Sequence, residues 1–152
     1  MPSAASPIVI LAGARTPMGR FQGGLSPLTA TDLGAAAISG ALDRSGMTGS
    51  DVDFAYLGNV VAAGTGQVPA RRASADAGIP LTVPSTLLNR ACLSGMHAIH
   101  LASQMIRLGE ADTVVAGGME SMTNAPYLLT KARGGYRIGD GTVVDSMMSD
   151  GL

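Results

Sequence analysis

The chain has little cysteine and lacks long uninterrupted apolar runs. It has one cysteine, Cys92, so no intrachain disulfide is possible and a reducing compartment is the simpler expectation. No apolar run approaches the ~18–20 residues of a membrane span. Residues 1–7 carry no basic segment, and the apolar run 8–11 is too short for the core of a signal peptide. We therefore expect a cytoplasmic protein that does not cross a membrane.

Charge and metal-ligating residues are also scarce. Charged residues make up 14% of the chain and the formal net charge is −1, so nothing favours binding to nucleic acid or to an anionic membrane. The two histidines, His97 and His100, fall on one stripe of a predicted helix with Gln104 and Arg107. No carboxylate shares that stripe and no second cysteine exists, so no metal site is predicted.

Small residues are abundant instead. The 152 residues include 21 glycines, nearly twice the usual ~7%. A chain of this length corresponds to about one domain. Small side chains at this density are typical of closely packed layers of helices and sheet, as in α/β folds.

Apolar segments with strand character alternate with helical ones along the chain. The predicted strands are residues 7–13, 54–60, 85–89 and 112–119. The predicted helices are residues 31 or 32 to 44, 69–77 and 93–108, ended by Gly46, Gly78 and Gly109. This alternation predicts an α/β fold with a mostly parallel sheet flanked by helices. Helix 93–108 is apolar over most of its circumference, so we expect it to be largely buried.

Several segments read as loops. Arg15 and Arg20 lie in a turn-rich stretch, where solvated side chains are the simpler interpretation. The Gly64-Thr65-Gly66 stretch is too short to cradle a phosphate. Residues 131–148 combine glycines with three cations and lack strand or helix periodicity, so we expect an exposed excursion. The predicted organisation is residues 1–122 as an α/β unit and 123–152 as the start of a loop region.

Cys92 lies between the third predicted strand and the helix that follows it. The unpaired N–H groups and the positive end of a helix dipole favour a thiolate at such a junction. Ser94 and Gly95 beside it are small enough to let a ligand approach. From this stretch alone two interpretations stay open: a nucleophile, or a small buried apolar residue, which is a common role for a lone cysteine.

Four blocks of sequence together resemble one family. Residues 89–95 (Asn-Arg-Ala-Cys-Leu-Ser-Gly) resemble the acyl-enzyme cysteine motif of the thiolases. Residues 115–126 look like the strand and turn that follow it, and residues 14–19 and 63–71 match the N-terminal blocks of that family. The resemblance covers the whole chain in order, and it is strongest to members that join two acetyl-CoA molecules.

The resemblance implies a fold, a reaction and a way of assembling. Thiolases have two similar α/β halves in a five-layered αβαβα body, and this chain would be the N-terminal half with an incomplete sheet. Cys92 would be acylated by an acyl-CoA, with its own backbone N–H stabilising the oxyanion. The reaction would condense two acetyl-CoA to acetoacetyl-CoA, or cleave a 3-oxoacyl-CoA with CoA, in fatty acid metabolism. CoA thioesters are substrates and no further cofactor is implied. Homodimers or homotetramers are expected, with residues 123–152 beginning the oligomerisation loop.

The chain departs from the family pattern in two ways. Leu93 stands where the family usually has a small residue, which affects the expected acyl-chain preference. The Gly-His-Pro, Asn-Glu-Ala-Phe and Cys-x-Gly motifs of the C-terminal half are absent from these 152 residues. Two function classes therefore stay open: an acyltransferase whose remaining part is not in this sequence, or a non-catalytic thiolase-derived domain that assembles with a partner chain.

Overall fold

The centre of the molecule is a three-stranded parallel sheet. The computed structural model describes residues 7–152; residues 1–6, part of the stretch where no signal peptide is predicted, lie outside the described residues. The strands are β1 (Phe54–Gly58), β2 (Ser85–Leu88) and β3 (Val114–Gly118), in the order β2-β1-β3. Both edge strands run parallel to β1. The predicted α/β class with a parallel sheet is thus confirmed.

Three helices flank this sheet: α1 (Ala30–Ser45), α2 (Pro69–Asp76) and α3 (Ser94–Arg107). Helix α2 connects β1 to β2, and α3 connects β2 to β3 on the other side of β1. Because crossover connections are right-handed, this reversal of direction puts α2 and α3 on opposite faces of the sheet. In agreement, α2 packs on β1, β2 and α1, whereas α3 packs on β1 and β3.

The apolar core lies between the sheet and the layer formed by α1 and α2. Its buried members include Ile38, Leu42, Leu57, Ala73 and Met119. Each large apolar side chain buried here contributes about 1.5–3 kcal/mol. The opposite face of the sheet is covered by small residues of α3, whose buried positions are Ser94, Ala98 and Ala102. The abundance of small residues thus lets α3 approach the strands closely.

The sequence predicts Thr31 or Asp32 as the N-cap of helix α1, and the observed cap lies two or three residues earlier. The N-cap is Thr29, not Thr31 or Asp32, and its Oγ1 accepts a hydrogen bond from the Asp32 N–H at 3.2 Å. The Asp32 carboxylate accepts in turn from the Thr29 N–H at 2.8 Å, which completes a capping box. At the other end the predicted stop is confirmed, since Gly46 adopts a left-handed conformation with φ of +72°.

The prediction of a strand over residues 7–13 is wrong. This segment is irregular, and Val9, Ile10 and Leu11 are between 62% and 79% exposed. A strand requires a neighbouring strand to pair its N–H and C=O groups. Within the described residues this segment meets α1 instead, where the Arg44 guanidinium donates to the Gly13 carbonyl at 2.7 Å.

Helix α3 is not largely buried, so this prediction is also wrong. Met96 is 69% exposed and Ile99 is 47% exposed. One face of the helix packs on the sheet, and among residues 7–152 nothing packs on the other face. An apolar pattern predicts that a surface can be buried, but the neighbour that buries it comes from tertiary structure.

The chain after β3 forms a second, small antiparallel sheet. Strand β4 (Tyr127–Leu128) pairs with β5 (Val144–Asp145), and a short helix α4 (Ser146–Asp150) follows. The expectation of no strand or helix over residues 131–148 is therefore wrong at its C-terminal end. Most of residues 129–143 are exposed, as expected, and include a single 3-10 turn, Ala132–Gly134.

Two further 3-10 turns lie at Gly49–Asp51 and Met122–Asn124. The division of the chain at residue 122 stays a prediction. Among residues 7–152 no helix has the length and apolar character needed to span a bilayer.

Candidate nucleophile site

The Cys92 side chain sits on a tight turn that links β2 to α3. Strand β2 ends at Leu88 and α3 begins at Ser94, so five residues reverse the chain direction. Within them Ala91 has a φ of +48°, in the left-handed region that non-glycine residues rarely adopt. Such a conformation costs on the order of 1–3 kcal/mol and persists only where the surroundings enforce it.

Hydrogen bonds from two side chains enforce this turn. The Ser94 hydroxyl accepts from the Arg90 N–H at 2.8 Å and donates to the Ala91 carbonyl at 2.6 Å. The side-chain Oδ1 of Asn89 accepts from the Ala91 N–H at 3.1 Å. Because Ser94 is only 5% exposed, water competes little with its bonds. The turn that presents Cys92 is therefore fixed by hydrogen bonds on both sides of Ala91.

The backbone N–H groups at the start of α3 are arranged differently from the expectation. The Leu93 N–H donates to the Arg90 carbonyl at 3.1 Å, and the Ser94 N–H donates to the Ala91 carbonyl at 3.0 Å. These two groups close the turn, so the expectation of unpaired N–H groups is wrong for Leu93 and Ser94, whereas the Gly95 and Met96 N–H groups in the same first turn donate to no backbone carbonyl among the described residues. The tightness of the turn is the physical reason, since it brings the carbonyls within reach.

Glycines let the start of α3 lie directly on the ends of β1 and β3. A Cβ atom on Gly58 would lie 2.5 Å from the Ser94 Cβ, which is too close for any side chain. A Cβ on Gly118 would lie 3.6 Å from the Gly95 Cα. The contact places Cys92 at the carboxyl ends of the parallel strands, where open α/β sheets bind their ligands.

Cys92 itself is exposed and unpaired with any other cysteine. The interpretation as a small buried apolar residue does not fit this position. Leu93, which follows it, is 41% exposed and so is not part of the core either. An accessible thiol on a constrained turn is suited to attack a bound electrophile.

His97 is hydrogen bonded to the turn, and His100 lies three residues further along α3. The Arg90 Nη1 lies 3.1 Å from the His97 Nδ1, and because a guanidinium only donates, this ring nitrogen accepts. The His97 and His100 rings are 6.0 Å apart. Among the described residues no three His, Cys, Asp or Glu side chains come together as metal ligands.

Two polar residues at the same end of the sheet, Asn59 and Glu120, are not among the site residues predicted from the sequence. Asn59 follows β1 directly and is 1% exposed, and its Nδ2 donates to the Glu120 Oε1 at 2.5 Å. Glu120 lies two residues beyond β3 and also accepts from the Val60 N–H at 2.8 Å. A usable signal exists, because both are polar residues within two residues of the end of an apolar strand, at the carboxyl end where sites form.

A cavity of about 420 Å³ opens beside Glu120. Arg15 and Arg20 contribute to its wall, and both side chains are exposed. The two side chains are exposed to solvent, as the interpretation of a solvated loop predicts. Their position next to the carboxyl end of β3 does not follow from the sequence.

These features define a class of protein: an α/β protein that presents an exposed thiol on a constrained strand-to-helix turn at the carboxyl end of a parallel sheet. Comparison with known proteins narrows the class. Residues 8–152 match the thiolase N-terminal domain. The chain therefore belongs to the thiolase family, as the resemblance of its four blocks indicates.

Several relatives carry names that state an activity. A probable acetyl-CoA acetyltransferase of Mycobacterium tuberculosis is 53% identical over 144 residues, which is 95% of this chain and 37% of that protein. Acetyl-CoA acetyltransferase 1 of Arabidopsis thaliana is 52% identical over 145 residues, or 95% of this chain and 35% of that protein. The acetyl-CoA acetyltransferase of Pseudomonas aeruginosa is 48% identical over 145 residues, with 37% of its length covered. The chain thus spans little more than a third of the length of these relatives.

Proposed function

We propose that this chain carries the nucleophile of an acetyl-CoA C-acetyltransferase, and that Cys92 is the residue that becomes acylated. The observation that carries the proposal is the exposed thiol on the constrained turn between β2 and α3. Family membership supports it, as do relatives named acetyl-CoA acetyltransferase at about 50% identity. In this function acetyl-CoA, longer acyl-CoA and CoA are the substrates, and neither a metal nor a further cofactor takes part.

The first half of the reaction transfers an acyl group to sulfur. The Cys92 Sγ attacks the thioester carbonyl carbon of acetyl-CoA, a C–S bond to the enzyme forms, and the bond to the CoA sulfur breaks. CoA leaves with the proton that Cys92 gave up. The backbone N–H of Cys92 is the proposed donor to the oxyanion, and one such donor is worth on the order of 10²–10³ in rate.

The second half forms a carbon–carbon bond. A base takes a proton from the methyl group of a second acetyl-CoA, and the resulting carbanion attacks the acetyl carbon on Cys92. The bond from that carbon to the Cys92 sulfur breaks, acetoacetyl-CoA leaves, and the Cys92 thiolate recovers the proton from the base. Thiolysis of a 3-oxoacyl-CoA is the reverse. A thiolate is both a good nucleophile and a good leaving group toward thioesters, so two easier steps replace one difficult step. We place this reaction in fatty acid metabolism in the cytoplasm.

The test uses a protein that continues this chain to the length of its relatives. After incubation with acetyl-CoA, mass spectrometry should find one acetyl group on the peptide that contains Cys92. Cys92→Ser should remove this adduct and abolish thiolysis. Gln104→Ala, an exposed change on the same helix, is the control and should keep both.

Near-normal turnover in the Cys92→Ser variant would show that the assignment of Cys92 is wrong. A parent protein that takes no acetyl group at saturating acetyl-CoA would favour the alternative function, a non-catalytic thiolase-derived domain that assembles with a partner chain.

A further inference from the structure

The carboxylate of Glu120 joins the carboxyl ends of two strands. It follows β3 in sequence, yet the groups it binds belong to the chain that leaves β1. Its Oε2 accepts from the Val60 N–H at 2.8 Å and its Oε1 from the Asn59 Nδ2 at 2.5 Å. The Val61 N–H lies 3.3 and 3.4 Å from the two oxygens. A single carboxylate therefore gathers three N–H donors just past β1.

A continuous path of hydrogen bonds runs from this carboxylate to the turn before Cys92. The Val60 carbonyl accepts from the Asn89 Nδ2 at 3.4 Å, and the Asn89 Oδ1 accepts from the Ala91 N–H at 3.1 Å. A second tie runs alongside, because the Asn59 N–H donates to the Leu88 carbonyl at 3.0 Å. The strained residue Ala91 is thus connected, through Asn89, to the same Val60 that Glu120 binds.

We propose that Glu120 is a positioning residue for the nucleophile turn, and that it acts on Cys92 through Val60 and Asn89. This inference rests on the proposed role of Cys92 and extends it. Glu120 itself does not need to touch the substrate. Its contribution is to fix the end of β1, against which the turn is hydrogen bonded.

The chemistry of the partners explains why a carboxylate is required here. Every group bound by Glu120 is a donor, and an ionised carboxylate is acceptor-only. A glutamine of the same shape would direct its own NH₂ group at one of these donors. The Asn59 Oδ1 is buried without a partner among the described residues, so its amide is oriented by the bonds of Nδ2 to Glu120 and to the Met119 carbonyl. Removing the acceptor therefore releases Asn59 as well.

Asp53 provides a matched control at the opposite end of the same strands. Its carboxylate accepts from the Asp112 N–H and the Thr113 N–H, both at 2.9 Å, just before β1 and β3. It has the same kind of bonds to backbone groups of the neighbouring strand as Glu120. It differs in lying at the amino ends of the strands, away from the turn.

The experiment compares Glu120→Gln with Asp53→Asn in a protein extended to the length of its relatives. Acetylation of Cys92 is followed by rapid quench and mass spectrometry over a range of acetyl-CoA concentrations. For Glu120→Gln we expect a maximal acetylation rate about 10- to 100-fold lower, since misplacing a reacting group costs this much. The half-saturating acetyl-CoA concentration should stay within about twofold, because the binding contacts are untouched. Asp53→Asn should keep the maximal rate and the half-saturating concentration of the parent, even if it lowers Tm as much as Glu120→Gln does.

Two results would overturn the proposal. One is a maximal rate in Glu120→Gln within about twofold of the parent, and the other is an equal loss of rate in Asp53→Asn. If Glu120→Gln does not fold, Glu120→Asp and Asn89→Ala replace it. The first keeps the charge but shortens its reach, and the second breaks the same path at its other end, so both should show the rate loss.

Failure of the proposed function is distinguishable from failure of this inference. If Cys92→Ser still takes an acetyl group, Cys92 is not the acylated residue. The positioning effect is then measured by alkylation of Cys92 with iodoacetamide, which requires only an accessible thiolate. A rate constant changed in Glu120→Gln and unchanged in Asp53→Asn supports the inference, and an unchanged rate constant in both overturns it.

Discussion

At the scale of single residues, Leu93 offers the sharpest prediction about specificity. It follows the nucleophile and is 41% exposed, so it adds little to the core. We expect Leu93→Ala to change the free energy of unfolding by no more than about 0.5 kcal/mol, as for most surface substitutions. In a protein of full family length the same change should raise kcat/KM for longer 3-oxoacyl-CoA relative to acetoacetyl-CoA, because a bulky side chain beside the acyl group is removed.

Urea unfolding and thiolysis assays with substrates of two chain lengths check this prediction. Leu93→Ile, which keeps the volume, is the control and should leave the preference unchanged. A stability loss above about 2 kcal/mol would instead show that Leu93 packs as a core residue.

At the scale of elements, the N-terminus of α1 predicts how stability depends on pH. The hydrogen bond from the Thr29 hydroxyl, together with that from the Thr29 N–H, lowers the pKa of Asp32 below its usual value near 3.8. A carboxyl whose pKa is lower in the folded state stabilises the fold above the unfolded pKa. That contribution disappears as the pH falls below 3.8 and through the folded pKa.

We therefore expect Asp32→Asn to lower the free energy of unfolding at pH 7. At about pH 2.5 the same substitution should lower it much less. Thr29→Ala should cost about 1 kcal/mol at neutral pH, as expected for loss of an N-cap. Asp43→Asn, an exposed change near the other end of the helix, is the control. Urea titrations at the two pH values measure the difference, and an equal effect of Asp32→Asn at both would contradict the prediction.

At the scale of the whole molecule, residues 131–148 are the predicted oligomer contact. This stretch exposes several apolar side chains, and Ile138 is 98% exposed. Its residues up to 143 belong to the connection between β4 and β5, whose ends are held together by the Ser146 hydroxyl donating to the Pro126 carbonyl at 2.6 Å. We expect the full-length protein to form tetramers, which Ile138→Lys should convert into dimers, because a charge would be buried in the contact.

Light scattering gives the measurement, with Ile138→Val as the control that should remain tetrameric. Tetramers that persist in Ile138→Lys would mean that this stretch does not form the contact.

The second prediction at this scale concerns residues 1–152 alone, which we expect not to join two acetyl-CoA molecules. The reaction needs a base for the thiol, a base for the acetyl methyl group and donors for two oxyanions. Cys92 supplies the thiol, and its backbone N–H supplies one of the oxyanion donors. His97 and His100 lie along α3, and the His97 Nδ1 is hydrogen bonded to Arg90. Because the exposed face of α3 carries apolar side chains such as Met96 and Ile99, we expect poor solubility of this chain or its association with a partner.

The test is to supply acetyl-CoA to residues 1–152 and to assay for acetoacetyl-CoA. Slow alkylation of Cys92 by iodoacetamide is still expected, and this serves as the control for a folded, accessible thiol. Turnover within about tenfold of a full-length thiolase would require a different mechanism.

Much of the fold follows from local sequence. Apolar runs locate β1, β2 and β3 to within a few residues, because apolar and β-branched side chains favour a strand where a neighbouring strand is available to pair with it. Pro69 at the first turn and Gly78 beyond the last locate α2 in the same way. The position of Cys92 on a strand-to-helix turn needs no more than the order of these elements.

Tertiary structure decided the features that depend on contacts between residues far apart in the sequence. Glu120 and Asn59 are 61 residues apart, and they meet only because β1 and β3 are adjacent in the sheet. Residues 7–13 have the apolar pattern of a strand, yet a strand forms only when another strand pairs its backbone. Helix α3 likewise has apolar side chains that its described neighbours leave exposed. Composition and periodicity determine what a segment is able to form, whereas pairing and burial require a second surface, which the sequence of the segment does not specify.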